Sequence, residues 1–241
     1  MRTQSSPLGG LFLSNEEYKK KIDRYTGIDG VKALGLYLIF MAVAFFHGYI
    51  LTTDLSVGIL NLSGIVLSVI DIMIGIGFVF VFKDTLSSIG FIKKNLRKSL
   101  LLGIAGTVLI MTVYISVYLF GYGENLTFYP ASLMFVCIFL FGAISEEIVF
   151  RGYISARLCG LVKNQGIASL ISALLFVSIH YPVRWVTTGA FSLTSLSLEH
   201  VIYLIILHFL CDWVYKKTNS LWGSILLHFL YNILASSINF N

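Results

Sequence analysis

Polar and apolar positions along this chain fall into long blocks, not into the short alternations of a soluble domain. Apolar stretches run at about 31–53, 57–82, 99–121, 131–157, 166–183, 199–215 and 221–240, with short polar connections between them. A helix needs about 20 mostly apolar residues to cross the hydrocarbon core of a bilayer, and each stretch is near that length. The pattern predicts an all-α polytopic membrane protein of about seven transmembrane helices, with six and eight as the bounds. Gly75 and Gly77 leave room for a re-entrant break in the second stretch, and the fifth and sixth stretches flank a Ser/Thr-rich loop. Residues 1–30 are polar and carry Glu16, Glu17, Lys19, Lys20, Lys21 and Arg24; they read as a cytoplasmic N-terminal arm. Residues 31–241 read as a single transmembrane domain, with no internal repeat and no long linker.

Composition strengthens this reading. Of 241 residues, 57% are hydrophobic and 12% charged, and the mean hydropathy is +0.86, more apolar than a soluble domain can bury. Lipid is therefore an expected partner. The net charge of +5 invites a nucleic-acid partner, but the basic residues sit in small groups between apolar runs, which is how membrane topology is encoded, so nucleic acid is rejected. The arm with Lys32 holds one group. Lys83, Lys93, Lys94, Arg97 and Lys98 form the next, then Arg151, Arg157 and Lys163, then Lys216 and Lys217. Of the 17 Lys and Arg residues, only Arg184 falls on the other side. Loops rich in Lys and Arg stay cytoplasmic, so seven spans put the N-terminus inside and the C-terminus outside. Cys137, Cys159 and Cys211 are odd in number and lack CxxC spacing, which argues against a disulfide framework and a thiolate metal site.

Ionisable groups at bilayer depth cost about 2.5 to 3.5 kcal/mol each on insertion scales, so those present face the protein interior and have partners. In the fourth stretch, Ser145-Glu146-Glu147-Ile148-Val149-Phe150-Arg151 places two adjacent carboxylates in an apolar helix. Glu147 and Arg151 share a face at i, i+4 and form an expected ion pair, while Glu146 points about 100° away and is free to act as a base. The fifth stretch ends in Phe176-Val177-Ser178-Ile179-His180, and the seventh contains His228-Phe229-Leu230-Tyr231-Asn232, with imidazole and amide one turn apart. A helix end reaching the cytoplasm with ordinary salt-bridged charges would explain the carboxylates alone. Two carboxylates, two imidazoles and an amide on three helices form what a buried water-activating site requires. With the fourth helix ending near Arg157, Glu146 lies ~16 Å from its inner end, and the three helices can bring these groups together in the cytoplasmic half of the membrane.

EEIVFR, FVSIH and HFLYN resemble, in order and spacing, the EExxxR, FxxxH and HxxxN motifs of the CPBP proteases, also called the Abi family: CAAX proteases and bacteriocin-processing enzymes that include Rce1-type prenyl-protein endopeptidases. The likeness covers roughly residues 130–235, its first three helices match only in being apolar, and the loop from Tyr181 to Glu199 lacks a glycine-rich pattern. The resemblance implies that Glu146 and His180 activate a water for attack on a peptide carbonyl, that His228 and Asn232 stabilise the oxyanion, and that Glu147 and Arg151 are supports. The family is called a metalloprotease group, and Glu146, His180 and His228 supply a two-His, one-carboxylate set for a divalent metal such as zinc; a glutamate-and-histidine mechanism without metal stands beside it.

Asp71, His47, His208 and Asp212 read as packing or cavity-lining groups, and His200 as an outer-interface residue. The leading expectation is an intramembrane endopeptidase of the bacterial cytoplasmic membrane that cleaves a membrane-associated peptide or protein near the cytoplasmic face, with pheromone or bacteriocin precursors as candidate substrates. The alternatives are a non-catalytic regulator or bacteriocin-immunity protein that binds a partner through the same fold, and a transporter or proton relay, which the lack of a repeat disfavours.

Overall fold

The structure, a computed structural model, describes residues 14–240; Arg2 and the remainder of residues 1–13 of the expected arm lie outside the described residues. Apart from two short paired strands, the described chain is helical. In order come α1 (Glu16–Ile22), α2 (Gly27–Leu51), α3 (Val57–Val81), α4 (Leu96–Tyr122), β1 (Leu126–Phe128), α5 (Leu133–Val162), α6 (Gln165–Ser178), α7 (Tyr181–Thr188), α8 (Leu198–Thr218), α9 (Trp222–Ser237) and β2 (Ile238–Phe240).

Six segments are long and apolar enough to cross a membrane: α2, α3, α4, α5, α6 together with α7, and α8. The expected seventh is shorter. α9 has 16 residues, about 24 Å of helix. It nevertheless follows α4 along the bundle, from Gly223 against Ser99 to Phe240 stacked on Tyr118 with ring centroids 4.2 Å apart. β2 completes that path by pairing antiparallel with β1, Leu126 opposite Phe240 and Phe128 opposite Ile238. The close approach of α4 and α9 needs glycine: a Cβ on Gly103 would run into the Gly223 backbone, and one on Gly223 into the Ser99 backbone. Ser99 Oγ fills the seam, accepting from Gly223 N at 2.9 Å and donating to Ser220 O at 3.1 Å.

Three sequence expectations are corrected by these elements. α3 is unbroken from Val57 to Val81, so no re-entrant turn forms at Gly75 and Gly77; a Cβ on Gly75 would stand 2.9 Å from Ile148 Cγ2, and the glycine lets α5 seat against α3. The Tyr181–Glu199 segment contains α7, opened by Pro182 in its first turn, where proline's fixed φ suits the helix. Arg151 and Arg157 are not connection charges. Both are buried inside α5, which runs on to Val162 through a π-helical stretch at Glu147–Ser155. Each has an acidic partner: Arg151 pairs with the buried Glu147, and Arg157 with the part-exposed Asp84 of the connection that follows α3.

The remaining basic connections do gather at one end. There Leu221 N donates to Gly90 O at 2.9 Å, and Lys163 Nζ to Tyr25 O at 3.0 Å. Asp212 forms a buried hub, pairing with Lys216 at 2.7 Å and accepting from Ser155 at 2.9 Å and Ser169 at 2.8 Å. From Glu16 onward the expected arm is folded onto this end: Asn15 N donates to Lys216 O at 2.8 Å, and Tyr18 and Lys21 are buried. Lys21 Nζ donates to the Tyr215 hydroxyl and to Asn219 Oδ1, each at 2.7 Å.

Burial, reinforced by Arg157 and Arg24, pushes the Lys21 amine down from the usual 10.5 to about 7. Between those values the unfolded chain binds the extra proton, so stability rises with pH across that window. Thermal unfolding of the purified protein is expected to show this rise, and a Lys21→Met variant to flatten it; an equal rise in the variant would assign the slope to other groups.

Candidate active site

The site is built where α5 meets α6 and α9. Glu146 ends the regular part of α5, and the π-helical turns beginning at Glu147 widen the helix just below it; such turns recur at functional sites because they re-aim side chains. Glu147 Oε1 lies 2.9 Å from Arg151 Nη1 and accepts from His228 Nδ1 at 2.8 Å. Glu147 and Arg151 side chains are 0% exposed, so the pair is sealed from solvent, and that of His228 is 3% exposed, at the edge of the second cavity. The Arg151 guanidinium also lies 4.4 Å over the Phe176 ring, a favourable seat for a desolvated cation. Phe176 is the hinge pin of the arrangement, touching His180 at 5.1 Å and His228 at 6.1 Å between ring centroids.

Each imidazole has one nitrogen committed and one turned toward open space. His228 bonds Glu147 through Nδ1, which leaves Nε2 at 3.7 Å from Glu146 Oε2. His180 Nδ1 lies 2.8 Å from the Phe176 carbonyl oxygen; a carbonyl only accepts, so Nδ1 carries the proton and Nε2 of the neutral ring keeps a lone pair. That bond also satisfies a carbonyl left orphaned where α6 ends.

Two cavities of about 420 Å³ each flank these groups. Glu146, His180 and Asn232 line both. The first adds Asp71, His47 and Arg184; the second adds His228, Glu199 and a set of tyrosines. The structure therefore brings together Glu146, His180, His228 and Asn232, and puts Glu147 and Arg151 behind them as a buried brace. The sequence reading took α5 to end near Arg157; it continues to Val162, and Glu146 stands 16 positions from that Lys/Arg-rich end, about midway along the helix. Both cavities are lined by residues of the opposite end, including His200 at the start of α8.

Asp71, read as a packing or cavity-lining group, lines the first cavity with Glu146. His200, read as an outer-interface residue, stands at the start of α8 and lines both cavities, its ring 6.3 Å from that of His180. No spacing within its own segment marked His200 as a neighbour of His180. His208 and Asp212 line neither cavity. His208 is fully buried beside Phe176 at 5.4 Å, and Asp212 belongs to the hub described above. Among the described residues no three His, Cys, Asp or Glu side chains stand together as a metal-holding group, the set Glu146, His180 and His228 included.

Residues 128–234 match the family model described as Type II CAAX prenyl endopeptidase Rce1-like. The chain is also similar to the UPF0177 protein YxdF of Lactococcus lactis subsp. lactis (strain IL1403), 31% identical over 94 residues, which is 39% of this chain and 43% of that protein. The chain thus spans less than half the length of the relative it matches. No solved structure matches it.

Removing one member of a buried ion pair leaves the other charge uncompensated, at a cost of about 3–5 kcal/mol. Glu147→Gln is expected to destabilise the protein on that scale in denaturation measurements, and Glu147→Gln combined with Arg151→Met to regain most of the loss. A double variant no more stable than the single one would mean that the pair does not brace the site.

Proposed function

We propose that this chain, Rce1-like over residues 128–234, is an intramembrane endopeptidase that hydrolyses a membrane-associated peptide or protein with a water activated by Glu146 and His180. The observation that carries the reading is the meeting of Glu146, His180, His228 and Asn232 at the junction of two cavities, backed by a buried Glu147–Arg151 pair. In the reaction, Glu146 or the free Nε2 of His180 takes a proton from water as the oxygen attacks the carbonyl carbon. The C=O electron pair moves to oxygen, giving a tetrahedral oxyanion. The Asn232 amide donates to it, and so does His228 Nε2 when that ring carries both protons, its Nδ1–H remaining on Glu147. As the intermediate collapses, the C–N bond breaks and the proton held by Glu146 or His180 passes to the leaving amine.

The donors present do not gather as a metal set, so every step is assigned to these side chains. The alternation of basic connections supports an orientation with the Lys/Arg-rich end inside, and the compact size and short loops suit a bacterial cytoplasmic membrane. Cleavage then occurs near mid-membrane in space that opens toward the other face, not next to the cytoplasmic face. Peptide pheromone or bacteriocin precursors remain the substrate class best suited to such a site, and prenylated proteins the alternative within the same chemistry. A partner-binding regulator on this fold would have no use for Glu146 as a base, and the test below separates the two.

Purified protein in detergent is expected to cut members of a panel of tagged single-span precursors. Glu146→Gln and His180→Ala should each slow cutting by about 10²–10⁴-fold, and Asn232→Ala by roughly 10²–10³-fold, with the fold confirmed by thermal unfolding. Cutting that persists in both base variants would sink the protease reading. Prolonged EDTA treatment should leave the rate within about twofold, since no step depends on a Lewis acid; a loss restored by zinc would overturn the metal-free assignment.

A further inference from the structure

The second cavity differs in character from the first. Its walls hold Tyr114, Tyr118, Tyr203 and Tyr231, its charged residues are Glu199 and Glu146, and no lysine or arginine lines it. Arg184 lines the first cavity only. The tyrosines form one cluster around Tyr114, with ring centroids 5.1 Å to Tyr118, 5.2 Å to Tyr203 and 6.5 Å to Tyr231. The Glu199 carboxylate lines the same cavity as all four. The Tyr118 hydroxyl stands within hydrogen-bonding reach of that carboxylate, whose Oε1 is buried. A buried carboxylate with no lysine or arginine beside it is costly unless a cation comes to it. Aromatic rings offer negative faces, and an aromatic cage with a carboxylate is a recognition device for a cation.

The field around the cavity has the same sign. At this end of the bundle the connections and helix ends carry Asp54, Glu124 and Glu199 against Arg184 alone among the described residues. A cationic ligand is drawn toward that end and a carboxylate is repelled. Because Glu146, His180, His228 and Asn232 line the same cavity, a group held by the tyrosines sits beside the bond to be cut.

We propose that the Glu199 and tyrosine cage is a specificity subsite for a lysine or arginine side chain flanking the scissile bond of the substrate. The inference rests on the protease reading and adds to it a direction: the substrate lies across the catalytic groups with its basic residue on the side of α4, α8 and α9, and the part beyond the cut toward Arg184.

The test uses the purified full chain and a set of tagged single-span peptides in which one residue near the cut is lysine or norleucine, the lysine being walked through the flanking positions. At one position the lysine peptide is expected to be favoured by about tenfold in kcat/KM, through KM. Glu199→Gln and Tyr118→Leu should bring that ratio close to one, and Glu199→Lys should turn it toward a glutamate peptide. A ratio unchanged in Glu199→Gln, or no lysine preference at any position, overturns the subsite. If no peptide is cut, the same lysine and norleucine pair is titrated onto the protein by fluorescence anisotropy. Preferential binding of the lysine peptide that Glu199→Gln abolishes sustains the cage while the protease reading falls, and equal binding of the pair overturns the cage as well.

Discussion

The arrangement depends on one buried exchange of charge: the Glu147 carboxylate shared between Arg151 and the imidazole of His228. A carboxylate and a guanidinium that are 0% exposed cannot be solvated by water or lipid, so they must satisfy each other inside the protein. That requirement links α5 to α9, because the second acceptor site on Glu147 is taken by a ring from α9. It also reaches α6, since Arg151 rests on Phe176, whose carbonyl holds His180. Three helices are thus set in register by a buried pair, Glu147 and Arg151, that lines neither cavity and holds two imidazoles that do. The residues that do face the cavities inherit their orientation from this brace, which is the usual relation between a reactive group and its supporting shell.

A second constraint is steric. His228 and Asn232 approach α5 at the right height only because α9 lies close against α4, backbone to backbone through Gly103 and Gly223. Gly75 plays the matching part on the other side, letting Ile148 of α5 sit against α3. In a membrane protein, close packing of this kind supplies cohesion that the hydrophobic effect gives in water. The geometry of the candidate site therefore rests on small residues far from it as much as on the polar ones within it.

Much of this was legible in the sequence, and the failures have physical causes. The apolar blocks predicted an all-α polytopic bundle, and the i, i+4 spacing of Glu147 and Arg151 predicted their pair. Loop charge was misread at Arg151 and Arg157 because a helix can retain arginine when an acid meets it inside, and the acid for Arg157, Asp84, is 73 residues away. The break expected at Gly75 and Gly77 confused a packing glycine with a turn glycine; the two differ only in what lies opposite. Asp71 was read as packing or cavity-lining and His200 as outer-interface; their closeness to Glu146 and His180 comes only with the fold, since each stands alone in its segment. The tyrosines around Glu199 come from α4, α8 and α9, a grouping that no spacing rule within one helix can reveal.

The short α9 with its terminal β1–β2 pair bears on the lipid as well as on the protein. About 24 Å of helix is less than the ~30 Å of an average hydrocarbon core. Along this flank the strands, not a helix, meet the upper leaflet, and their backbone polarity is only partly answered by a three-residue ladder. A bilayer that thins to match α9 would bring headgroups and water down toward the tyrosine-lined cavity. On the proposed protease reading, the bilayer itself would then be part of the access route, and the hydrolytic water would reach the site without a pore being cut through the bundle.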